Sequence, residues 1–149
     1  LNQCISSLTN QTLQEIEIIL INDGSTDDSL AVCMALAATD DRIGLIDKPN
    51  GGVSEARNDG LRAATGAYVG FVDPDDWVDT DMYERMLATL TAAQAEICLC
   101  NYVKETKEGT VPVLVKQSGT IEKTLSRTSS PSRASEVAKP TSWAASAGC

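Results

Sequence analysis

Residues 17–22 read EIILIN, and within them Ile18, Ile19, Leu20 and Ile21 follow one another without a polar interruption. A continuous branched and aliphatic run suits a strand buried on both faces, as in parallel sheets covered by helices. It stops at Asp23-Gly24-Ser25-Thr26-Asp27-Asp28, turn chemistry that also offers N-caps to a helix over 29–38. Working outward, the pattern repeats. A strand at 43–47 leads through Lys48-Pro49-Asn50-Gly51-Gly52 into a helix at 53–65, with Val53, Ala56, Gly60, Leu61 and Ala64 inward and Gly66 as its C′ residue. AYVGFVD at 67–73 is a third strand, and 79–94 is a helix with Met82, Met86, Leu87 and Leu90 on its apolar side. Residues 96–103 read as a fourth strand and 110–116 as a fifth. Residues 1–12 read as a short helix with Leu1, Cys4, Ile5 and Leu8 on one face. Strands alternating with helices of this length define an α/β fold, a mostly parallel sheet with helices on both faces.

At 149 residues, 42% of them hydrophobic, the chain is long enough for one domain with a substantial core. Its 21 acidic and 12 basic residues leave a net charge of −9, which repels nucleic acid and makes an anionic ligand awkward unless a cation intervenes. The absence of histidine excludes a Ser-His-Asp triad and a histidine-ligated zinc site. The five cysteines (Cys4, Cys33, Cys98, Cys100, Cys149) include no C-x-x-C pair and read as buried, reduced thiols in a core. No membrane-spanning run or signal peptide is visible, so the expected location is cytoplasmic. Residues 1–116 carry 8 basic and 19 acidic side chains, a balance of −11, whereas 117–149 add +2. That last segment is rich in Ser and Thr, has no usable period over 126–138, and reads as a disordered or foreign tail.

Ligands of open parallel sheets bind outside the carboxyl ends of the strands. The first strand ends in Asn22-Asp23-Gly24-Ser25 and the third in Asp73-Pro74-Asp75-Asp76-Trp77, so several carboxylates converge on one edge. In extended backbone, residues i and i+2 point the same way, which would let Asp73 and Asp75 share one cation. Pro74 favours that arrangement by holding Asp73 in the extended region. Carboxylate oxygens suit a hard ion such as Mg²⁺ or Mn²⁺. Asp79-Thr80-Asp81 has the same spacing but reads as helix-capping charge. For Asp23 the sequence allows a ligand contact or a plain turn residue. The backbone amides of Asn50-Gly51-Gly52-Val53-Ser54, a loop ahead of a helix, could face an anion or form a plain connection, and Arg57 on the first turns could bind or simply be solvated.

Taken together, Asn-Asp-Gly-Ser-Thr-Asp-Asp-Ser (22–29), Gly-Gly-Val-Ser-Glu-Ala-Arg-Asn-Asp-Gly (51–60) and Gly-Ala-Tyr-Val-Gly-Phe-Val-Asp-Pro-Asp-Asp-Trp (66–77) resemble family-2 glycosyltransferases of the GT-A type. The resemblance covers about residues 1–116 and implies a Rossmann-like nucleotide-sugar-binding half. It implies that Asp23 accepts a hydrogen bond from the nucleotide base, usually uracil. Arg57 would approach the nucleotide or its diphosphate, Asp73 the ribose and metal region, and Asp75 would ligate Mn²⁺ or Mg²⁺ directly. The implied reaction is transfer from a nucleotide-diphosphate sugar, UDP-linked, to a glycan or lipid-linked acceptor hydroxyl, with inversion, in polysaccharide or cell-surface glycan synthesis. A peripheral place at the inner face of the membrane is compatible with that role in the full-length protein.

Family members place an apolar strand before the first helix and an acceptor half after the nucleotide half, and this sequence starts at the helix. The resemblance therefore implies a sheet with a gap between the strands at 17–22 and 67–73. Such a chain is expected to be poorly soluble, loosely packed, or closed by another strand pairing. The catalytic base is expected in the acceptor half; Glu105, Glu108, Glu122 and Glu136 have no context suited to it, and an inactive fragment is one expectation. Two other readings stand beside the first. One is an acidic Mg²⁺-binding regulatory domain, which Lys48 followed by Pro49 fits poorly. The other is a sugar-nucleotide pyrophosphorylase, which would want a Gly-rich basic N-terminal loop.

Overall fold

A computed structural model describes residues 1–114 and a strand at 143–148. The elements in order are α1 (Asn2–Thr9), β1 (Ile16–Asp23), α2 (Ser29–Ala37), β2 (Ile43–Lys48), α3 (Val53–Ala63), β3 (Tyr68–Val72), α4 (Met82–Ala93), β4 (Tyr102–Thr106), β5 (Gly109–Val113) and β6 (Trp143–Gly148). They form two compact units. The described part of one is Leu1–Tyr83 with β6, and that of the other begins at Glu84.

The first unit is an α/β domain built on an all-parallel sheet of order β2-β1-β6-β3. Ile18, Ile19, Leu20 and Ile21 of β1 are all at most 4% exposed, so the sheet is covered on both sides there. Each buried aliphatic side chain stabilises the fold by about 1.5–3 kcal/mol, which makes β1 the centre of the core. On the odd-numbered face, Ile19 and Ile21 pack with Ala56 of α3, joined by Ile46, Ala64 and Val69. Cys4, Ile5 and Leu8 of α1 are buried as their spacing predicts. In α3 only Ala56 and Gly60 are fully buried; Val53 is 66% and Leu61 48% exposed, because the stripe facing the sheet is narrower than the apolar pattern. The helix ends at Ala63 with Ala64 already extended, ahead of the expected Gly66 stop.

β6 departs from the tail expectation and meets the expectation that another strand pairing closes the gap. Trp143–Gly148 lies within the segment assigned to a disordered or foreign tail, yet it pairs in parallel with β1 on one side and β3 on the other. Ile18 and Gly70 both register with Ala145. The physical cause is the gap itself. β1 and β3 each present a row of backbone donors and acceptors one strand apart, and unpaired buried groups of that kind are strongly disfavoured. Any extended backbone can satisfy them, so weak strand propensity in Ala144–Gly148 is overridden. The remainder of the Ser/Thr-rich segment, 115–142, and Cys149 lie outside the described residues.

α1 is tied to the segment that follows β3. The buried Gln11 amide donates to the carbonyls of Ser7 (2.9 Å) and Asp79 (2.7 Å), and its oxygen accepts from the Tyr83 amide (3.2 Å). Ser7 Oγ accepts from the Val78 amide at 3.2 Å, and the Thr12 amide donates to the Thr80 carbonyl at 2.8 Å. The Cys4 thiol reaches the Asp73 carbonyl at 3.5 Å. The loop from Asp73 to Thr80 is thus held by Cys4 and Ser7 of α1 and by Gln11 and Thr12 just after it.

In the second unit, β4 and β5 form an antiparallel hairpin joined at Lys107-Glu108. This corrects the strand expected at 96–103, since residues 96–101 form no strand and the pairing starts at Tyr102; the strand expected at 110–116 is present as β5, with 115 and 116 outside the described residues. Neighbours in sequence close a hairpin at little entropic cost, and a single partner five residues long fixes its extent. Ile97 and Leu99 are accordingly 76% and 66% exposed. Cys4 and Cys33 are buried thiols as expected, but Cys98 is only half-buried and Cys100 is exposed, which corrects the buried-core reading for that pair.

Candidate functional site

Because β1, β2 and β3 run parallel, their carboxyl ends lie along one edge of the sheet, which carries Asp23, Lys48 and Asp73. Asp23 closes β1. Its Oδ1 accepts the Gly51 amide at 2.9 Å and its Oδ2 the Gly52 amide at 2.8 Å, while the Asn50 side chain donates to its carbonyl at 2.9 Å. The anion faced by the Gly51 and Gly52 amides is therefore Asp23 itself, and the two separate sequence expectations become one clasp. The clasp explains Gly24. Its φ is +72°, and a Cβ there would lie 2.6 Å from the Asn50 nitrogen. The Gly51 amide, then Lys48 and the Gly52 amide, hold the Asp23 carboxyl below its ordinary range against the opposing effect of burial.

Sequence reasoning gave no binding role to two residues beneath this clasp, Asn22 and Lys48. Asn22 is 2% exposed; its amide donates to Asp47 Oδ1 at 2.7 Å and its oxygen accepts from the Ser25 amide at 3.3 Å. Lys48 Nζ lies 3.2 Å from Asp23, 3.1 Å from Asp59 and 4.0 Å from Glu55. It approaches them as a point charge, off the axis of a directed hydrogen bond. Burial pulls the Lys48 ammonium down, but Asp59 and Asp23 outweigh it and leave it above its ordinary value. A polar residue at each of two adjacent strand ends is the only trace of this network in the sequence.

Arg57, on α3, donates to Asp73 Oδ1 at 3.0 Å, and its guanidinium stands 5.8 Å from the centroid of the Phe71 ring. Both charged side chains remain about half exposed, 48% and 58%, so the pair stays accessible to a ligand. The structure therefore brings Arg57 and Asp73 together as neighbours on the edge.

The backbone from Asp73 onward corrects the geometry assumed for Asp73 and Asp75. The Asp76 amide donates to the Asp73 carbonyl at 3.0 Å, so 73–76 is a β-turn with Pro74 at its second position, where proline is favoured. The i, i+2 argument from extended backbone does not apply. Instead the turn presents Asp75 and Asp76 to solvent beside Asp73. Burial pushes the Cys4 thiol up to about 11; the N-terminal ammonium opposes this, and the charges of Asp76, Asp75 and Asp73 add to it, which marks the field of the acidic turn. Among the described residues no group of three or more Asp, Glu, Cys or His side chains is gathered into a cation cage. Exposed oxygen donors on one turn nonetheless fit a hard cation such as Mg²⁺, which is commonly held by one or two carboxylates with phosphate oxygens and waters.

An α/β domain with an acidic turn, a basic partner and a glycine clasp at one sheet edge belongs to a defined class. The chain matches the family model described as glycosyl transferase family 2 over residues 1–142. It is 44% identical over 108 residues to the uncharacterized glycosyltransferase EpsJ of Bacillus subtilis, covering 72% of this chain and 31% of that protein. Over 102 residues it is 43% identical to the glycosyltransferase GlyA of Streptococcus pneumoniae, covering 68% of this chain and 15% of that protein. It is 34% identical over 99 residues to the hyaluronan synthase of Pasteurella multocida, covering 66% of this chain and 10% of that protein. The chain belongs to glycosyl transferase family 2. It spans less than a third of the length of each of these three relatives.

Proposed function

We propose that this chain is the nucleotide-sugar-binding part of a glycosyltransferase that transfers a sugar from a UDP-linked donor to an acceptor hydroxyl, with inversion. The observation that carries the reading is the shared edge of the parallel sheet, where Asp23 at the end of β1 and the Arg57–Asp73 pair with the turn at Asp75 and Asp76 after β3 stand on either side of β6. Family membership favours it over the regulatory and pyrophosphorylase readings. Relatives named as hyaluronan synthase and chondroitin synthase support a role in polysaccharide or cell-surface glycan assembly. Cytoplasmic placement, with peripheral attachment to the membrane, belongs to the same proposal; no helix among the described residues is long and apolar enough to cross a membrane.

In this reading Asp23, ionised and acceptor-only, takes the ring N–H of uracil. Arg57 orients the diphosphate and offsets its charge. Asp73 and Asp75 would hold Mn²⁺ or Mg²⁺, which would supply counter-charge for the diphosphate. The acceptor oxygen forms a bond to the anomeric carbon as the bond to the phosphate oxygen breaks, and the electron pair leaves with the diphosphate. The acceptor proton passes to a base in an acceptor half beyond the described residues. Fixed charges at the site lower the barrier by meeting charge as it develops.

Calorimetric titration of the chain with UDP in Mn²⁺ and in chelator tests the binding part of the reading. Binding in metal and loss of binding in chelator are expected; equal affinity in both would sink the metal role. Transfer from a panel of UDP-sugars by the full-length protein tests the rest.

A further inference from the structure

Lys48 contacts β1 and α3 at once, and nothing above assigns it a part in ligand binding. We propose that Lys48 is a positioning residue for base selection: by bridging Asp23 to Asp59 it fixes the Asp23 carboxylate with one acceptor side open, which selects a base edge that donates an N–H. The proposal rests on Asp23 being the base-contacting residue.

A carboxylate offers about four acceptor positions in the plane of its oxygens. Here Oδ1 faces the Gly51 amide and the Lys48 ammonium, and Oδ2 takes the Gly52 amide. The remaining capacity lies on Oδ2. The two glycine amides cannot set this orientation alone, because they sit in a loop that is itself held by Asp23. Lys48 supplies an anchor from outside that circle. Its stem lies on β2, its side chain is only 15% exposed, and its second partner, Asp59, is fixed on α3 by an ion pair with Arg62. Without Lys48, Asp23 would face the Asp59–Arg62 pair with no cation of its own, and the carboxylate would turn away.

Uracil and cytosine discriminate the idea well. They have nearly the same size, but the ring nitrogen between the two exocyclic groups carries a proton in uracil and a lone pair in cytosine. An ionised carboxylate held in one orientation accepts from the first and repels the second. A carboxylate free to rotate, or drawn off by water, discriminates less.

The test measures UDP and CDP affinities of the full chain in Mn²⁺ by calorimetry, for wild type, Lys48→Met, Lys48→Arg, Asp59→Asn and Asp23→Ala. A preference for UDP is expected in wild type. Lys48→Met should reduce the UDP-to-CDP ratio by about fivefold, the scale on which a partly exposed ion pair acts. Lys48→Arg should restore most of the ratio, and Asp59→Asn should lower it in part. A lysine that only stabilises the fold would reduce the melting temperature of Lys48→Met and leave the ratio intact, which overturns the proposal. Equal weakening of UDP and CDP would mean Lys48 contacts the diphosphate, and overturns it too. If Asp23→Ala abolishes the ratio while Lys48→Met does not, the positioning role fails and the base-reading role of Asp23 survives. If Asp23→Ala leaves the ratio unchanged, or wild type has no preference, both readings fall. Carbon-detected NMR gives a readout free of nucleotide: the Asp23 carboxyl should titrate at higher pH in Lys48→Met, with the Gly51 and Gly52 amide signals displaced. Unchanged signals would also overturn the proposal.

Discussion

Arg57 on α3 and Asp73 at the end of β3 meet across 3.0 Å, sixteen residues apart in sequence, and both remain about half exposed. A surface pair of this kind stabilises a protein by about 0–1 kcal/mol. Arg57→Ala should therefore leave the thermal midpoint within a few degrees of wild type while weakening UDP by roughly tenfold. Paired scanning fluorimetry and calorimetry separate the two effects; a large loss of stability with intact binding would make the pair a structural one.

Asp75 stands on the solvent side of the turn at 73–76. Asp75→Asn removes a charged oxygen ligand without changing the size of the side chain. The difference in UDP affinity between Mn²⁺ and chelator should shrink to a small fraction of its wild-type value. Retention of the full difference would place the cation elsewhere.

Gln11 is 1% exposed and satisfies three backbone groups. Gln11→Leu keeps the bulk but strands the Asp79 carbonyl and the Tyr83 amide, each costing about 1–3 kcal/mol if no water replaces it. Urea unfolding should show a clear drop in midpoint with little change in slope. An unchanged midpoint would mean the latch from α1 contributes nothing.

Hydrogen bonds hold Asp23, Asp40 and Asp59 below their ordinary value of 3.8: from Gly51 first for Asp23, from Arg42 for Asp40, and from Arg62 for Asp59. Groups depressed by folding contribute stability that is fully present above the unfolded value and is lost as pH falls through the folded one. These three should leave stability flat from neutral pH down to about pH 4 and remove it progressively below. Lys48 has the opposite sign: raised above 10.5, it contributes below that pH and loses its contribution above it. Urea midpoints from pH 3 to 7 check the acid limb, with Asp23→Asn expected to lie below wild type at pH 7 and to converge with it below pH 3.8.

Proline lacks the N–H that a central strand donates. Ala145→Pro interrupts β6 where it registers with Ile18 and Gly70. Thermal unfolding of this variant should broaden and apolar-dye binding should rise. A sharp wild-type transition would show that the sheet does not depend on β6.

Much of the first unit was legible because period speaks directly to burial. The unbroken Ile18–Ile21 run announced a strand covered on both faces, and α1 buried the side chains its spacing indicated. The alternation of Ile97 and Leu99 with two cysteines misled, since a strand needs a partner and the hairpin took its pairing from Tyr102 onward. The Asp23–Gly51 contact spans 28 positions, so the sequence offered a turn and an anion nest without showing that one fills the other. Lys48 and Gln11 were illegible for the same reason: a lone polar residue carries no mark of the distant group it will satisfy. The vacancy between β1 and β3 and its closure by another pairing were legible, but which residues would fill it was not, because nothing in the composition of β6 marks it.

The central position of β6 also sets an order on synthesis. β1, β2 and β3 leave the ribosome well before Trp143, so the strand that pairs with the facing edges of β1 and β3 arrives last. Contacts between residues far apart in sequence form late and slowly. Exposed edges in that interval invite pairing with other nascent chains, and holdase chaperones bind such surfaces. Completion of this sheet therefore waits on Trp143–Gly148, and its yield depends on how soon those residues arrive.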